Sequence, residues 1–203
     1  MIVAGAPPGA GTTTGTDSRN VHGRAIAITV FSTVKPWGKL WLPIVFLGSR
    51  LWPRSQARLA ELSFIHFARW TLVRRIPYNG PPQPRRRLRF AHLFFESNFN
   101  GGWEEYIDAF SYILTRDMRT VWGSSYGFPN PLPAAPFKAY IRRNELQADH
   151  YYCAYPEATT TMVLAGLELS DKLAALRRRA TGMDPDAFAT AWADFLTDAQ
   201  RCL

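Results

Sequence analysis

The sequence predicts a single α+β domain with a ferredoxin-like, split β-α-β architecture, followed by two C-terminal helices. The β-branched, apolar run 25–34 (AIAITVFSTV) is typical of a central strand covered on both faces. Two aromatic runs, 64–76 and 88–99, predict a pair of strands joined as a hairpin. Amphipathic spacing over 103–118 predicts a helix. With a fourth strand at 148–155, the order becomes β-α-β-β-α-β-α-α.

The helix between the first two strands is predicted to run from Pro36 to Leu62. Proline suits a helix start, and Pro43 inside the segment predicts a kink or a broken first turn. Apolar residues recur at near-helical spacing along its first half: Trp37, Trp41, Ile44, Leu47 and Leu51. The proline- and glycine-rich segment 77–84 forbids helix and is expected to form the hairpin loop.

The second half of the chain begins with a long proline- and glycine-rich connection, 123–136, which leads to a short helix around Tyr140. The run 148–155 (ADHYYCAY) is the predicted fourth strand. A long helix is expected from Pro156 to a stop at Gly182. Asp184 followed by proline is an N-cap with proline at the first helical position, which predicts one more helix.

Length, composition and net charge limit the number of domains and the class of partner. The chain has 203 residues, 47% of them hydrophobic, and this length fits one core and one domain. Residues 1–22 are predicted to be a disordered tail, and residues 23–203 to form the domain. The net charge of +8 favours anionic partners. Two cysteines, Cys153 and Cys202, indicate neither a disulfide framework nor a metal site, so a cytoplasmic location is expected.

Several runs of this sequence resemble an uncharacterised group of bacterial, largely actinobacterial, proteins of the ferredoxin-like, dimeric α/β-barrel superfamily. The resemblance covers about residues 24–180. It implies a homodimer, and because the superfamily includes haem-dependent peroxidases and small-molecule monooxygenases, it makes haem a candidate cofactor. The GxxDG motif of the dye-decolourising peroxidases is absent. The resemblance rests on the runs SFIHFARW, FFESNFNGGWEEYIDAF, WGSSYGFPNPLPAAPF and HYYCAYPEATT.

Histidines on the predicted strands are the candidates for chemistry. If the hairpin folds about Pro81, His66 lies opposite Glu96 and Trp70 opposite His92. Strand alternation then places both histidines and the carboxylate on one face. A carboxylate beside an imidazole orients it and raises its basicity, as a general base or a haem ligand requires. The alternative is a structural polar pair on a partly wet strand.

A ligand site is predicted between the sheet and the connection 123–136. Trp70, Phe94 and Asn98 are expected to line it from the strands, and Tyr126 and Phe128 to cover it as part of a lid. The ligand class is an apolar or aromatic small molecule, of which a lipid-derived compound is one example.

The segment 37–52 is apolar on nearly all faces of its helix. It is too short to span a bilayer. We expect a second copy to cover it, since a homodimer buries the same patch twice; the alternatives are the C-terminal helices and a membrane interface. Trp37, Trp41, Phe46 and Trp52 are the predicted contact residues.

Three functional hypotheses follow. The first is small-molecule binding by a ferredoxin-like homodimer. The second is a haem- or oxygen-dependent oxidoreductase of the same superfamily, and the third is a peripheral membrane or assembly protein that docks through 37–52. The run 85–89 (RRRLR) is basic, but no RNP-like pattern accompanies the aromatic strands, so the sequence disfavours nucleic-acid binding.

Overall fold

The computed structural model describes residues 20–51 and 62–202. Within them the chain forms an α+β fold, with one four-stranded antiparallel sheet and six α-helices. The strands are β1 (Val21–His22), β2 (Ala25–Val34), β3 (Ile65–Arg75) and β4 (Arg87–Asn100). The helices are α1 (Gly38–Leu51), α2 (Trp103–Ile113), α3 (Thr115–Trp122), α4 (Ala134–Asn144), α5 (Thr160–Ala180) and α6 (Pro185–Ala199), with a closing 3₁₀ turn at Gln200–Cys202.

The sheet order is β1-β2-β4-β3, and every neighbouring pair is antiparallel. β2 and β3 therefore run in the same direction, with β4 inserted between them. This arrangement brings the ends of β2 and β3 to one end of the sheet, and α1 begins there.

The predicted fourth strand at 148–155 is wrong, and the strand order does not confirm the ferredoxin-like arrangement. The free edge of β2 is occupied instead by β1, in which Val21 pairs with Ile26, and by an isolated bridge between Val30 and Glu145. Some backbone N–H groups of 148–153 donate hydrogen bonds to side chains near β1. The N–H of Ala148 donates to Asn20 Oδ1 at 2.8 Å.

The last residues of the predicted tail 1–22 take part in the sheet. Asn20 is buried, and Val21 and His22 already pair with β2. The rest of the predicted tail, residues 1–19, lies outside the described residues, as does the predicted continuation of the first helix over 52–61.

The helix predicted over 103–118 is two helices, α2 and α3, separated at Leu114, which has φ −107° and ψ 26°. No glycine or proline marks the break. The hydroxyl of Thr115 donates back to the carbonyls of Ser111 and Tyr112, a local bond of the kind that bends helices.

One face of the sheet packs against α2, α3 and α4 through aromatic rings. Phe95 lies at the centre of this core, with ring centroids 4.9 Å from Trp70 and 5.0 Å from Trp122. Further along β4, Phe99 stacks on Tyr106 at 3.8 Å. Complementary edge-to-face and stacked contacts of this kind add to the gain from burial.

A glycine allows α1 to approach this core. Gly38 is buried at the helix start, where a Cβ would lie 2.6 Å from Val34 Cγ1 and 2.8 Å from Ser124 Cβ. Leu42, one turn later, is fully buried in the core cluster. The inner side of α1 is therefore fixed on the helical side of the sheet.

Replacing Phe95 with Ala is expected to lower the free energy of unfolding by about 3–5 kcal/mol, because it removes a fully packed ring and leaves a cavity. Urea denaturation at 25 °C measures this. Phe90→Ala, on the same strand but 38% exposed, is the matched control and should cost well under half as much. Equal losses would contradict the assignment of the two faces.

Candidate functional site

The side of the sheet away from the helices, called here the open face, is the candidate functional site. Along β4, side chains 91, 93, 95, 97 and 99 are buried, while 92, 94, 96, 98 and 100 are only partly covered. This is the two-residue period of a strand with one packed and one open side. β2 alternates in the same way from Ile28 to Val34. Its two faces are therefore covered unequally, in contrast to the predicted strand covered on both faces.

An aromatic cluster occupies the middle of the open face. The His92 ring stacks on Phe31 of β2, with centroids 4.6 Å apart and planes at 15°. Phe94 meets the same Phe31 edge-on at 6.3 Å. Toward the sheet end, Phe90 makes an edge contact of 6.4 Å with Tyr126. The cluster thus combines apolar rings with one imidazole.

His92 is held in its neutral form by its surroundings. Burial against Phe31 and the strand lowers the pKa of His92 from its ordinary value of 6.5, because desolvation disfavours the charged imidazolium. Its Nδ1 lies 3.4 Å from Thr33 Oγ1. The imidazole is therefore a hydrogen-bonding group without a charge at neutral pH.

Glu96 has a different partner from the one predicted. Arg69 Nη2 lies 2.8 Å from Glu96 Oε2, and the Arg69 guanidinium also lies 5.8 Å from the centre of the Phe94 ring. The two side chains are 62% and 30% exposed. A pair so open to water contributes little to stability, but it fixes a positive charge over the aromatic cluster.

The predicted pairing of His66 with Glu96 is wrong. The expected register holds at the neck of the hairpin, where Arg75 pairs with Arg87. The pairing is irregular between Arg75 and Val73, and over this interval β4 contributes three more residues than β3. As a result, Arg69 faces Glu96. A shift by an odd number also exchanges the faces.

A second irregularity falls at His66 itself, between Ile65 and Phe67, and the His66 side chain is exposed. The structure therefore does not bring His66 and Glu96 together as a catalytic dyad.

The other predicted ligand residues are divided between the two faces. Phe94 and Asn98 lie on the open face with His92. Trp70 pairs with Phe95 rather than with His92 and belongs to the core. Phe128 also packs into the core, against Phe137 at 5.9 Å and Tyr140 at 5.7 Å.

Tyr126 is the one predicted lid residue at the edge of the open face. It is 48% exposed, and its N–H donates to Thr33 O at 2.8 Å. The connection 123–136 therefore packs along β2 and on the core side, rather than over the cluster.

Two residues of the open face were missed by sequence reasoning. Phe31 stacks with His92, and Arg69 pairs with Glu96. In β2, Thr29, Phe31 and Thr33 alternate with buried residues, and this alternation could have indicated that Phe31 lies on the open face. No local signal identifies Arg69, because its partner depends on the register of β3 against β4.

The contact residues predicted on α1 are also divided. Trp37 and Trp41 are exposed, and Trp41 Nε1 donates to Thr120 O at 2.9 Å. Phe46 packs partly buried against the core, so it lies on the inner side of the helix. Trp52 lies outside the described residues.

Comparison with known proteins gives no relative to set beside this geometry. No protein-family model matches the chain, and no curated protein or solved structure matches it either.

The neutral state of His92 predicts a pH dependence of stability. The pKa of His92 is lower in the folded chain than its ordinary 6.5, so the unfolded chain binds more protons as the pH falls through about 6.5. The contribution is thus fully present above that pH and is lost below it. Thermal melts should show a larger fall in Tm between pH 7.5 and 5.5 for the wild type than for His92→Gln. Parallel pH profiles would contradict the buried, neutral imidazole.

Haem binding through His66 or His92 stays a prediction. Purified protein mixed with hemin should show a Soret band that one of the variants His66→Ala or His92→Ala abolishes. His150→Ala, on a segment without regular structure, is the control. An unchanged hemin spectrum would count against the oxidoreductase hypothesis.

Proposed function

We propose that the chain binds an apolar or aromatic small molecule on the open face of its sheet, in a cavity closed by a second copy of the same chain. The observation that supports this most directly is the aromatic cluster on the side of the sheet opposite α2, α3 and α4, where Phe31 and Phe94 stay partly exposed. Phe31, Phe90 and Phe94 offer ring surface there, and His92 offers a neutral polar group beside them.

The composition of the open face suits this class of ligand. Sites for small molecules are mostly apolar, with a few polar groups that fix the orientation of the ligand. Here Phe31 and Phe94 lie between Thr33 and His92 toward one end and Glu96, Asn98 and Arg69 toward the other. A flat aromatic ligand could stack on Phe94 and reach the imidazole by a hydrogen bond.

Closure by a second copy follows from the shape of the surface. A sheet face by itself is too flat to bury most of a ligand, whereas known small-molecule sites are concave. Two such faces packed together enclose a layer of side chains about 10 Å thick. The succession β2-α1-β3-β4-α2 is compatible with a ferredoxin-like fold, and the dimeric members of that superfamily form a barrel from two such sheets.

The proposal predicts binding of a neutral aromatic probe. N-phenyl-1-naphthylamine should gain fluorescence on titration with the protein. Phe94→Ala should raise the dissociation constant of the probe about tenfold, because the loss of a ring contact costs on the order of 1.5 kcal/mol. A neutral probe is used so that the arginines of the chain do not attract it by charge.

Tyr112→Ala is the matched control for this titration, since Tyr112 is 65% exposed and lies on α2, which packs on the other side of the sheet. Sedimentation velocity of the same samples measures the dimer. Equal effects of the two substitutions would contradict the site on the open face, and a monomer that still binds the probe would contradict closure by a second copy.

A further inference from the structure

The tip of the β3–β4 hairpin forms a groove of about 730 Å³ whose lining includes four arginines. Tyr78 lies on one wall, and the Arg85 guanidinium stacks over its ring at 4.8 Å. Arg75 pairs directly with Arg87 across the strands. The full lining is Arg75, Ile76, Pro77, Tyr78, Arg85, Arg86 and Arg87.

Within the part of the chain that the structure describes, these charges form no ion pair. None of the ion pairs among residues 20–51 and 62–202 includes Arg75, Arg85, Arg86 or Arg87. Like charges directly opposite each other destabilise a strand pair. Guanidinium groups bind phosphate oxygens with two parallel hydrogen bonds. The groove therefore fits a phosphate-bearing anion that offsets the repulsion.

The outer side of α1 carries an exposed apolar stripe. Its residues are spaced three or four apart, so they lie along one side of the helix, while Leu42 on the opposite side is buried. α1 contains no acidic residue, and its charges are Lys39 and Arg50. The stripe consists of Trp37, Leu40, Trp41, Ile44, Leu47 and Leu51, with exposed fractions between 42% and 76%.

The groove and the stripe meet at the same end of the sheet. β2 and β3 run in the same direction and end there, at Val34 and Arg75, and α1 starts close by. A hydrogen bond joins the strand beside the groove to the first turn of α1, because Arg74 Nη2 donates to Lys39 O at 2.9 Å. The arginines of the hairpin therefore lie beside the first turn of the apolar helix.

We propose that this end of the molecule docks on an anionic phospholipid bilayer. The stripe of α1 lies in the membrane interface, and the arginine groove binds the phosphates of the lipid headgroups. Interfacial helices combine an apolar side with flanking cations in this way, and tryptophan is enriched at headgroup depth. None of the helices among the described residues is long and apolar enough to cross a membrane, which agrees with docking on the surface.

The positive charge of this surface favours an anionic bilayer over a second copy of the chain. A two-fold contact places the same patch of each copy against the other, so a dimer built on α1 would bring the arginine groove near its own copy in a chain of net charge +8. Nucleic acid would satisfy the arginines, but it offers no apolar phase for Leu40, Ile44 and Leu47. An anionic bilayer satisfies both surfaces at once.

Co-sedimentation of the full chain with vesicles tests the proposal. Vesicles of phosphatidylcholine with about 30% phosphatidylglycerol should bind the protein, and pure phosphatidylcholine vesicles should bind it at least tenfold more weakly. The triple substitution Arg85→Gln, Arg86→Gln, Arg87→Gln should weaken binding by about a hundredfold, since each cation near an anionic surface contributes about 1 kcal/mol. Leu40→Glu with Ile44→Glu should abolish it.

Both surfaces have matched controls on α5. Arg177→Gln, Arg178→Gln, Arg179→Gln removes the same charge from an exposed site, and Leu164→Glu with Leu167→Glu alters an equally exposed apolar pair. Both controls should bind vesicles like the wild type. All substituted positions are exposed, and unchanged circular dichroism would verify the fold.

Three results would overturn the proposal. The first is a loss of selectivity: equal binding to neutral and anionic vesicles, together with an equal effect of the α5 controls. The second is a wild-type protein that ignores vesicles and sediments as a dimer that Leu40→Glu with Ile44→Glu dissociates, which would make a second copy the occupant of the stripe. The third is binding of a labelled single-stranded oligonucleotide, without vesicle binding, that is lost with the hairpin arginines.

Discussion

The two-residue alternation of β4, held in register by strands on both sides, is the constraint on which the rest of the structure depends. Phe95 points into the core and Phe94 to the open face, although they are neighbours in the chain. A slip of one residue would exchange the two sets. Core packing and the composition of the candidate site are therefore fixed by one register, which the pairing of β4 with β2 maintains without a bulge from Ala25 to Val34.

Sequence patterns could predict the elements whose signals are local. The strands near 25–34, 64–76 and 88–99 and the cap at Asp184 depend on composition and spacing within a few residues. The segment 148–155 looks like a strand by the same criteria, but a strand also needs an edge to pair with. β1 and Glu145 occupy that edge of β2, and no local pattern reports the competition.

The candidate site was predictable only in part, for the same reason. Alternation along one strand places His92, Phe94 and Glu96 together, because it needs no knowledge of the neighbours. The partners of these residues depend on the irregularity near Arg75, where β4 uses three more residues than a symmetric hairpin would. That displacement puts Arg69 beside Glu96 and moves Trp70 into the core, and only the folded pairing reveals it.

The two proposed surfaces lie on opposite sides of the sheet, so they do not compete. α1 packs on the helical side through Leu42, while the aromatic cluster around Phe94 faces the other way. Water contact costs the exposed stripe about 25 cal/mol for each Å² of apolar surface, a cost that a bilayer removes without covering Phe94. A molecule held on a membrane by α1 and the hairpin arginines would keep its open face available to the second copy that closes the proposed site. An apolar ligand that partitions into the same bilayer would then be concentrated close to its proposed site.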